Sequence, residues 1–243
     1  MTNLSGKTAL VTGASRGIGR ASALALANSG AQVLVHYSSG EKEAAAVVAH
    51  IRNAGGKAEK ITADLRAPEG PHALAERVRA VVGGRLDILI ANAGVLWLGP
   101  IESTSLKRWQ LCMNVNLTGV FLVTKAVIPH VKARGGGSLI AITTTGVGMV
   151  EHGSNAYWVS KAGAERLYLG LAADLKADNI AVNCLSPSRV VLTEGWQAGG
   201  GGMEIPPEMV EPPEAMANAA VLLAQQDASG ITGTIQRSEE LTS

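Results

Sequence analysis

Short apolar runs rich in β-branched residues alternate along the chain with longer stretches whose apolar positions recur at helical spacing. TALVT (8–12), QVLVHY (32–37), KAEKITADL (57–65), LDILIAN (86–92), SLIAIT (138–143), IAVNCLS (180–186) and ITGTIQ (231–236) read as strands. RASALALAN (20–28), EKEAAAVVAHIRNAG (41–55), a segment opened by Pro68 and running to about Val82, Leu106 to Ala133, Tyr157 to Leu175 and EAMANAAVLLAQ (214–225) read as helices. LDILIAN is a continuous apolar strand, the kind covered on both faces. Seven strands alternating with six helices predict an open, doubly wound parallel sheet of about seven strands with helices on both faces. No repeat and no linker interrupts the pattern, so residues 1–243 are expected to form a single domain. Residues 195–213 depart from it, with Gly199 to Gly202 in succession and two Pro-Pro pairs, and predict a mobile loop.

Composition narrows the partners. Of the 243 residues 47% are apolar and 17% charged, as in a globular chain. The formal net charge is +1 and the basic residues are scattered, which gives no electrostatic reason to expect nucleic acid or an anionic membrane. No stretch approaches the roughly 20 apolar residues of a membrane span. Cys112 and Cys184 form neither a metal-spaced pair nor a disulfide framework, so a cytoplasmic location is expected. His36, His50, His72, His130 and His152 have no metal-ligand spacing, and no metal is expected. The apolar run at Thr8–Thr12 is too short for a signal peptide.

TGASRGIG (12–19) joins the first strand to the first helix, with spacing Gly13-x3-Gly17-x-Gly19. Glycines here let the turn close and let a pyrophosphate approach backbone N–H groups at a helix N-terminus. Tight turns need glycine in any case, but a preceding strand and a following helix favour nucleotide binding. Three further motifs follow in order: Asp64-Leu65 at the end of the third strand, Asn92-Ala93-Gly94 at the end of the fourth, and Tyr157-x3-Lys161 opening the helix after the fifth. Together they resemble the short-chain dehydrogenase/reductase family, over nearly the whole chain from Lys7 to about Gln236. The resemblance implies a Rossmann-like fold and a nicotinamide cofactor held by Gly13, Ser15, Arg16, Gly17, Ile18 and Gly19. Asp64 and Leu65 would meet the adenine, and Asn92, Ala93 and Gly94 would complete the floor.

A carboxylate ending the second strand would bind the adenine ribose 2′-hydroxyl and repel a 2′-phosphate. That position is Tyr37, followed by Ser38 and Ser39, and the next acid is Glu41. Arg16 inside the glycine turn can pair with a phosphate. This set resembles the members that prefer NADP(H), with NAD(H) as the second choice. The alternatives are that Arg16 is a solvated turn residue, and that Glu41 caps the next helix.

Tyr157 and Lys161 are four residues apart, on one helix face. A free phenol ionises near pH ~10, and a nearby ammonium would bring it down toward useful acid–base chemistry. An ordinary amphipathic helix is the plain alternative. In the family this pair acts on the substrate's alcohol or carbonyl, and both Tyr157 and Lys161 also meet the cofactor, the lysine at the nicotinamide ribose. The family places a serine 13 residues before the tyrosine; here the count gives Thr144. Threonine keeps the hydroxyl and adds a β-methyl that restricts it. Strand alternation would point Thr143 and Thr145 to the opposite face, and Ser154 and Ser160 lie at the wrong offsets. The family's fourth catalytic residue matches Asn116 in VNLTGVF (115–121), where it would break the helix.

Other positions leave the family pattern. Pro187-Ser188-Arg189-Val190 stands where the family has Pro-Gly, so Ser188 is expected to crowd the nicotinamide edge, while Val190 offers its backbone. The segment 194–213 would be the substrate lid, open without ligand. The usual double glycine after the last strand is replaced by QRSEELTS, which puts the C-terminal packing in doubt. Trp97, Leu98, Met149, Val150, Trp158 and Trp196 are candidates for the pocket wall or plain packing. The resemblance implies hydride transfer between nicotinamide and a small-molecule carbonyl or secondary alcohol, of the 3-oxoacyl reductase, sugar or alcohol dehydrogenase type. It also implies a homodimer or homotetramer built through the two long helices. A nucleotide-binding regulator on the same fold is the alternative.

Overall fold

The structure is a computed structural model and describes residues 3–67, 69–148, 153, 155–199 and 204–242. Pro68, Met149, Val150, His152, Ser154 and Gly200 to Gly202 fall outside these residues, so their expected roles are not addressed. The strands are β1 (Thr8–Val11), β2 (Gln32–Tyr37), β3 (Lys57–Thr62), β4 (Ile88–Ala91), β5 (Gly137–Ile142), β6 (Ile180–Ser186) and β7 (Ile235–Arg237). Among the described residues they form one seven-stranded sheet, in the order β3-β2-β1-β4-β5-β6-β7, with every pairing parallel. The order reverses between β1 and β4, which opens a crevice at the carboxyl ends of these strands.

The helices are α1 (Gly17–Asn28), α2 (Glu41–Asn53), α3 (Glu69–Val82), α4 (Leu106–Met113), α5 (Val120–Lys132), α6 (Asn155–Asp174), α7 (Glu194–Ala198), α8 (Pro213–Ala224) and α9 (Ser238–Thr242). Period-two alternation assigns each strand's residues to two cores. Ala9, Val11, Val33, Val35 and Ile90 face α1, α2 and α8, where Leu26, Val47, Ile51 and Leu223 are buried. Leu10, Leu34, Leu89 and Leu139 face α3, α5 and α6, where Leu74, Val78, Val127 and Tyr168 are buried. Central β1 and β4 are buried at every position, which is why their sequences are apolar without alternation. Edge strand β3 exposes Lys57, Glu59 and Lys60.

Several element boundaries differ from the sequence reading. β3 stops at Thr62 and β4 starts at Ile88, although Ala63 and Asp87 just outside them still bond to the neighbouring strands. Residues 231–234 do not extend β7; the Asn183 side chain instead ties Ile231 and Thr234 to β6. The expected lid at 194–213 contains helix α7, started by the Thr193 hydroxyl, which accepts the Trp196 N–H at 3.2 Å. QRSEELTS is not slack: it supplies the end of β7 and helix α9, which packs against α8. The run Leu106–Lys132 is long and apolar enough, by length and composition, to cross a membrane, contrary to the sequence estimate. Here Val120, Val123, Val127 and Val131 of α5 bury one side of it in the core.

Candidate active site

A cavity of about 620 Å³ opens at the carboxyl ends of the strands. Its floor begins at the turn after β1. Gly13 has φ +63°, and a Cβ there would stand 2.9 Å from the Ala93 Cα, so the turn and the Asn92-Ala93 backbone touch as only glycine allows. At Gly19 a Cβ would collide with the Gly13 carbonyl and the Asn92 side chain, which lets α1 close on β4. Thr12 and Asn92 lock the two strand ends together. The Thr12 hydroxyl accepts the N–H groups of Asn92 and Ala93, both at 3.0 Å, and the Asn92 amide donates to the Thr12 and Gly13 carbonyls at 2.8 and 3.1 Å. Arg16 occupies the N-cap of α1 without a side-chain cap bond, so the first-turn N–H groups stay available to an anion.

His36, absent from the expected site, braces this turn from beneath. Its Nδ1 accepts the Gly13 N–H at 3.1 Å, and its Nε2 lies 3.1 Å from the Ala63 carbonyl, to which it donates in that tautomer. Burial pushes its pKa down to about 4, against the pull of the Ala63 bond, and fixes the neutral ring this pair of bonds requires.

The far side of this end is lined by Ser15, Arg16, Ser38, Ser39, Asp64, Leu65 and Arg66. Tyr37 is not part of this wall; it is buried in the core beneath α1 and α2. Glu41 is not the cap of α2, a place taken by Gly40; its carboxylate pairs with Lys60 at 2.6 Å, which lowers its pKa. No acid therefore ends β2 at the cavity. Arg66, another residue the sequence reading passed over, forks onto Asp64 with contacts of 2.6 to 3.0 Å and holds its carboxyl down at about 2.

The opposite end lies beyond β5 and β6. The strand stops at Ile142, so alternation does not continue through the threonine run. Thr143, Thr144 and Thr145 all border the cavity, although the Thr143 hydroxyl is itself buried beside Glu165. Thr144 starts a tight turn at 145–148 and its hydroxyl accepts the Gly146 N–H at 3.3 Å. Tyr157 is half-buried on the wall, one turn before Lys161 on α6. Lys161 is buried and donates to the Ile142 carbonyl at 2.7 Å; its Nζ lies 5.9 Å from the centre of the Tyr157 ring.

The ammonium does not lower the phenol here as expected. Burial pushes Tyr157 up to about 12, with the Cys112 thiol adding to the rise. Burial also pulls Lys161 down to about 8, against Cys184 and Glu165. Desolvation outweighs the attraction at this separation, and the phenol stays protonated at neutral pH. Glu165, one further turn along α6, is buried with its carboxyl raised by burial, against the Thr143 hydroxyl and the Lys161 ammonium.

Asn116 lies behind the wall rather than on it. It is fully buried in a π-helical segment, Asn114–Gly119, that separates α4 from α5, the break that asparagine in a helix suggested. Its side chain pairs with both backbone groups of Val95 at 2.8 Å and donates to the Ser160 hydroxyl at 3.0 Å. Ser160 in turn donates to the Tyr157 carbonyl at 2.6 Å. Ser160 is thus the strut between Asn116 and the tyrosine's own turn, a role its sequence offset could not show. Gly94 presses on both partners: a Cβ there would lie 3.3 Å from Asn116 Oδ1 and 3.6 Å from Lys161 Nζ.

The family model for short chain dehydrogenases matches residues 7–199. The chain belongs to the short-chain dehydrogenase family. It is 36% identical to an uncharacterised oxidoreductase of Methylorubrum extorquens, over 97% of each chain. It is also 36% identical to the 3-oxoacyl-[acyl-carrier-protein] reductase of Synechocystis, over 96% of this chain and 95% of that one. Among solved structures, an angucycline C-6 ketoreductase with bound NADP superposes with a TM-score of 0.87 at 32% identity, covering 97% of this chain and 95% of the other.

Of the residues assigned to this dehydrogenase's site, Gly13, Ser15, Arg16, Gly17, Ile18, Ser38, Ser39, Asp64, Leu65, Asn92, Ala93, Gly94, Thr144, Tyr157, Lys161, Pro187 and Val190 line the cavity. Gly19 and Asn116 support it from behind. Tyr37 and Ser188 lie away from it; Ser188 turns its hydroxyl toward Ser238 and Glu239, so it does not crowd the cavity edge. Trp196, Leu96, Leu111 and Val115 give the cavity apolar lining. Trp97 does not join them: it stacks under Arg108, 3.5 Å from the ring centre, and donates to Thr104 at 3.2 Å. Trp158 packs over Gly146, and Leu98 pairs its N–H with the Gly199 carbonyl.

Proposed function

We propose that the protein is an NADP(H)-dependent oxidoreductase that interconverts a ketone and a secondary alcohol. The observation that carries this reading is the one cavity that Thr144, Tyr157 and Lys161 line together with Gly13, Arg16 and Gly17 of the glycine turn. The uncapped N-terminus of α1 and the glycine floor fit a dinucleotide diphosphate. Arg16, Ser38 and Ser39, with no acid ending β2, fit an adenine ribose carrying a 2′-phosphate. The NADP found in the angucycline ketoreductase supports the same choice, with NAD(H) as the weaker alternative.

The cofactor supplies or accepts the hydride. The protein's own groups manage the oxygen. The Thr144 hydroxyl donates to the carbonyl oxygen and stabilises the negative charge that develops there. Tyr157, protonated at neutral pH, gives its proton to that oxygen in reduction and recovers it in oxidation. Lys161 favours the transient phenolate from one turn away, and Asn116 with Ser160 fixes the helix turn that carries Tyr157. The apolar wall around Trp196 suits a carbonyl flanked by hydrocarbon.

The test is NADPH and NADH oxidation across a panel of aliphatic, cyclic and aromatic ketones. The reading expects turnover with NADPH exceeding that with NADH on at least one of them. Tight NADPH binding with no turnover on any ketone or alcohol would favour the regulator instead. We further propose one domain, a cytoplasmic location and a homodimer or homotetramer. Leu106, Phe121 and Val159, on α4, α5 and α6, are 70%, 42% and 48% exposed and would be covered in such an assembly. A monomer in sizing chromatography would contradict the assembly.

A further inference from the structure

Glu211 is a buried carboxylate, 5% exposed, that the reaction does not use. It sits where three segments distant in sequence converge: residues 187–190 after β6, residues 209–211 before α8, and the start of α9. Its Oε1 accepts the Ser188 N–H and the Ser238 hydroxyl, each at 3.0 Å, and Oε2 accepts the same hydroxyl at 2.8 Å. The Ser188 N–H also meets Ser238 Oγ at 3.0 Å, the two serine hydroxyls are 3.0 Å apart, and Ser188 Oγ accepts the Glu239 N–H at 3.1 Å. Beside this cluster the Val190 N–H donates to the Met209 carbonyl at 2.8 Å, and the Glu211 N–H donates to the Val190 carbonyl at 3.0 Å. Arg189 and Glu239 approach to 3.5 Å on the outside, both half-exposed, and contribute little.

Two of these residues are departures from the family pattern, Ser188 in place of glycine and the C-terminal Ser238, and they meet on one carboxylate. A buried charge is a costly way to fill space, and an apolar side chain of similar volume would often serve stability as well or better. What a carboxylate adds is direction: it fixes the N–H of Ser188 and, through Ser238, joins that strand end to α9. The segment it holds is part of the cavity. Pro187, Arg189 and Val190 line it, and the register of β6 with β5, Leu185 beside Ile142, brings the end of β6 next to the segment that carries Thr144.

We propose that Glu211, with Ser188 and Ser238, is a positioning residue that sets the backbone of residues 187–190 at the reaction end of the cavity, using the C-terminal helix as its abutment. This rests on the reading of the cavity as a nicotinamide-nucleotide site. The network braces the nicotinamide end and leaves the adenine end untouched, so two ligands separate its effects. NADPH spans both ends, whereas adenosine 2′,5′-bisphosphate occupies the adenine end alone. Affinities for both are measured by fluorescence and calorimetry for the wild type, Glu211→Ala, Glu211→Gln and Ser238→Ala, with thermal unfolding alongside.

Glu211→Ala should weaken NADPH about tenfold and leave the bisphosphate unchanged. Glu211→Gln, which keeps an acceptor for Ser188 N–H, should recover most of the loss. Ser238→Ala should weaken NADPH about threefold, and it carries the test if Glu211→Ala does not fold. Unchanged NADPH affinity in Glu211→Ala or Ser238→Ala, or equal weakening of both ligands, overturns the proposal. A wild type that binds neither ligand overturns the cofactor reading, and the proposal falls with it.

Discussion

The two ends of the cavity are built by different means. At the end formed by β1, β2 and β3 the floor is backbone: the Gly13–Gly19 turn and the open N-terminus of α1, set against the Asn92-Ala93 peptide after β4, with Thr12 and His36 tying these together. At the end formed by β5 and β6 the surface includes three reactive side chains: Thr144, held in its own turn by Gly146; Tyr157, whose helix turn is tied through Ser160 to Asn116; and Lys161, which donates to Ile142 on β5. The first end can grip a diphosphate that is the same in every reaction. The second must place a hydroxyl, a phenol and an ammonium around one reacting oxygen, and small errors in angle there cost rate.

That difference can be broken from either side. The largest effect is expected at the backbone end. Gly19→Ala puts a methyl group into the Gly13 carbonyl and the Asn92 side chain, so NADPH binding should disappear in a fluorescence titration, with a stability loss on the order of 1–3 kcal/mol. Next comes the side-chain end. Thr144→Val should lower kcat about 100-fold with NADPH affinity intact, and Thr144→Ser should retain or exceed wild-type turnover. A silent Thr144→Val would assign the oxyanion to another donor. Arg16→Ala should raise the Kd for NADPH about tenfold and leave that for NADH unchanged, and equal changes for both would remove Arg16 from the 2′-phosphate site.

The smallest effect is a pH dependence at His36. Its folded pKa of about 4 lies below the ordinary 6.5, so the unfolded chain binds the extra proton first as pH falls. Its contribution is complete above pH 6.5 and is lost progressively as pH falls to about 4. Thermal unfolding across this range should show a flatter slope in His36→Gln than in the wild type. Parallel curves would mean that the ring is not held neutral against Gly13.

The same contrast explains what could be read from the sequence. Backbone sites leave spacing behind: the glycines at 13, 17 and 19, the run LDILIAN and the absence of an acid after QVLVHY all transfer directly to the structure. The parallel sheet follows from the alternation of strands and helices, because parallel strands need crossovers, whereas the order β3-β2-β1-β4-β5-β6-β7 comes from the structure. Side-chain sites depend on residues far apart along the chain. Ser160 matters because Asn116 reaches it across 44 positions, and Ser188 turns from the cavity because Ser238 stands 50 positions away. Tyr37 looked like a ribose contact by position, but the alternation of β2 sends it into the core. SLIAIT reads as strand one residue too far, since β5 ends at Ile142 and Thr144 opens the turn that follows. The spacing of Tyr157 and Lys161 is legible; the state of their protons is not, because burial, which outweighs their mutual attraction, is a property of the fold.

The central claim is that Tyr157 delivers a proton at the reaction end without helping to hold the cofactor at the other. Tyr157→Phe tests it with one hydroxyl removed. Single-turnover NADPH oxidation, at saturating cofactor and with the best ketone of the panel, is compared with NADPH affinity in the same two proteins. The account predicts a rate at least about 100-fold lower in Tyr157→Phe with affinity within about twofold of wild type. Equal rates in the two proteins would contradict it.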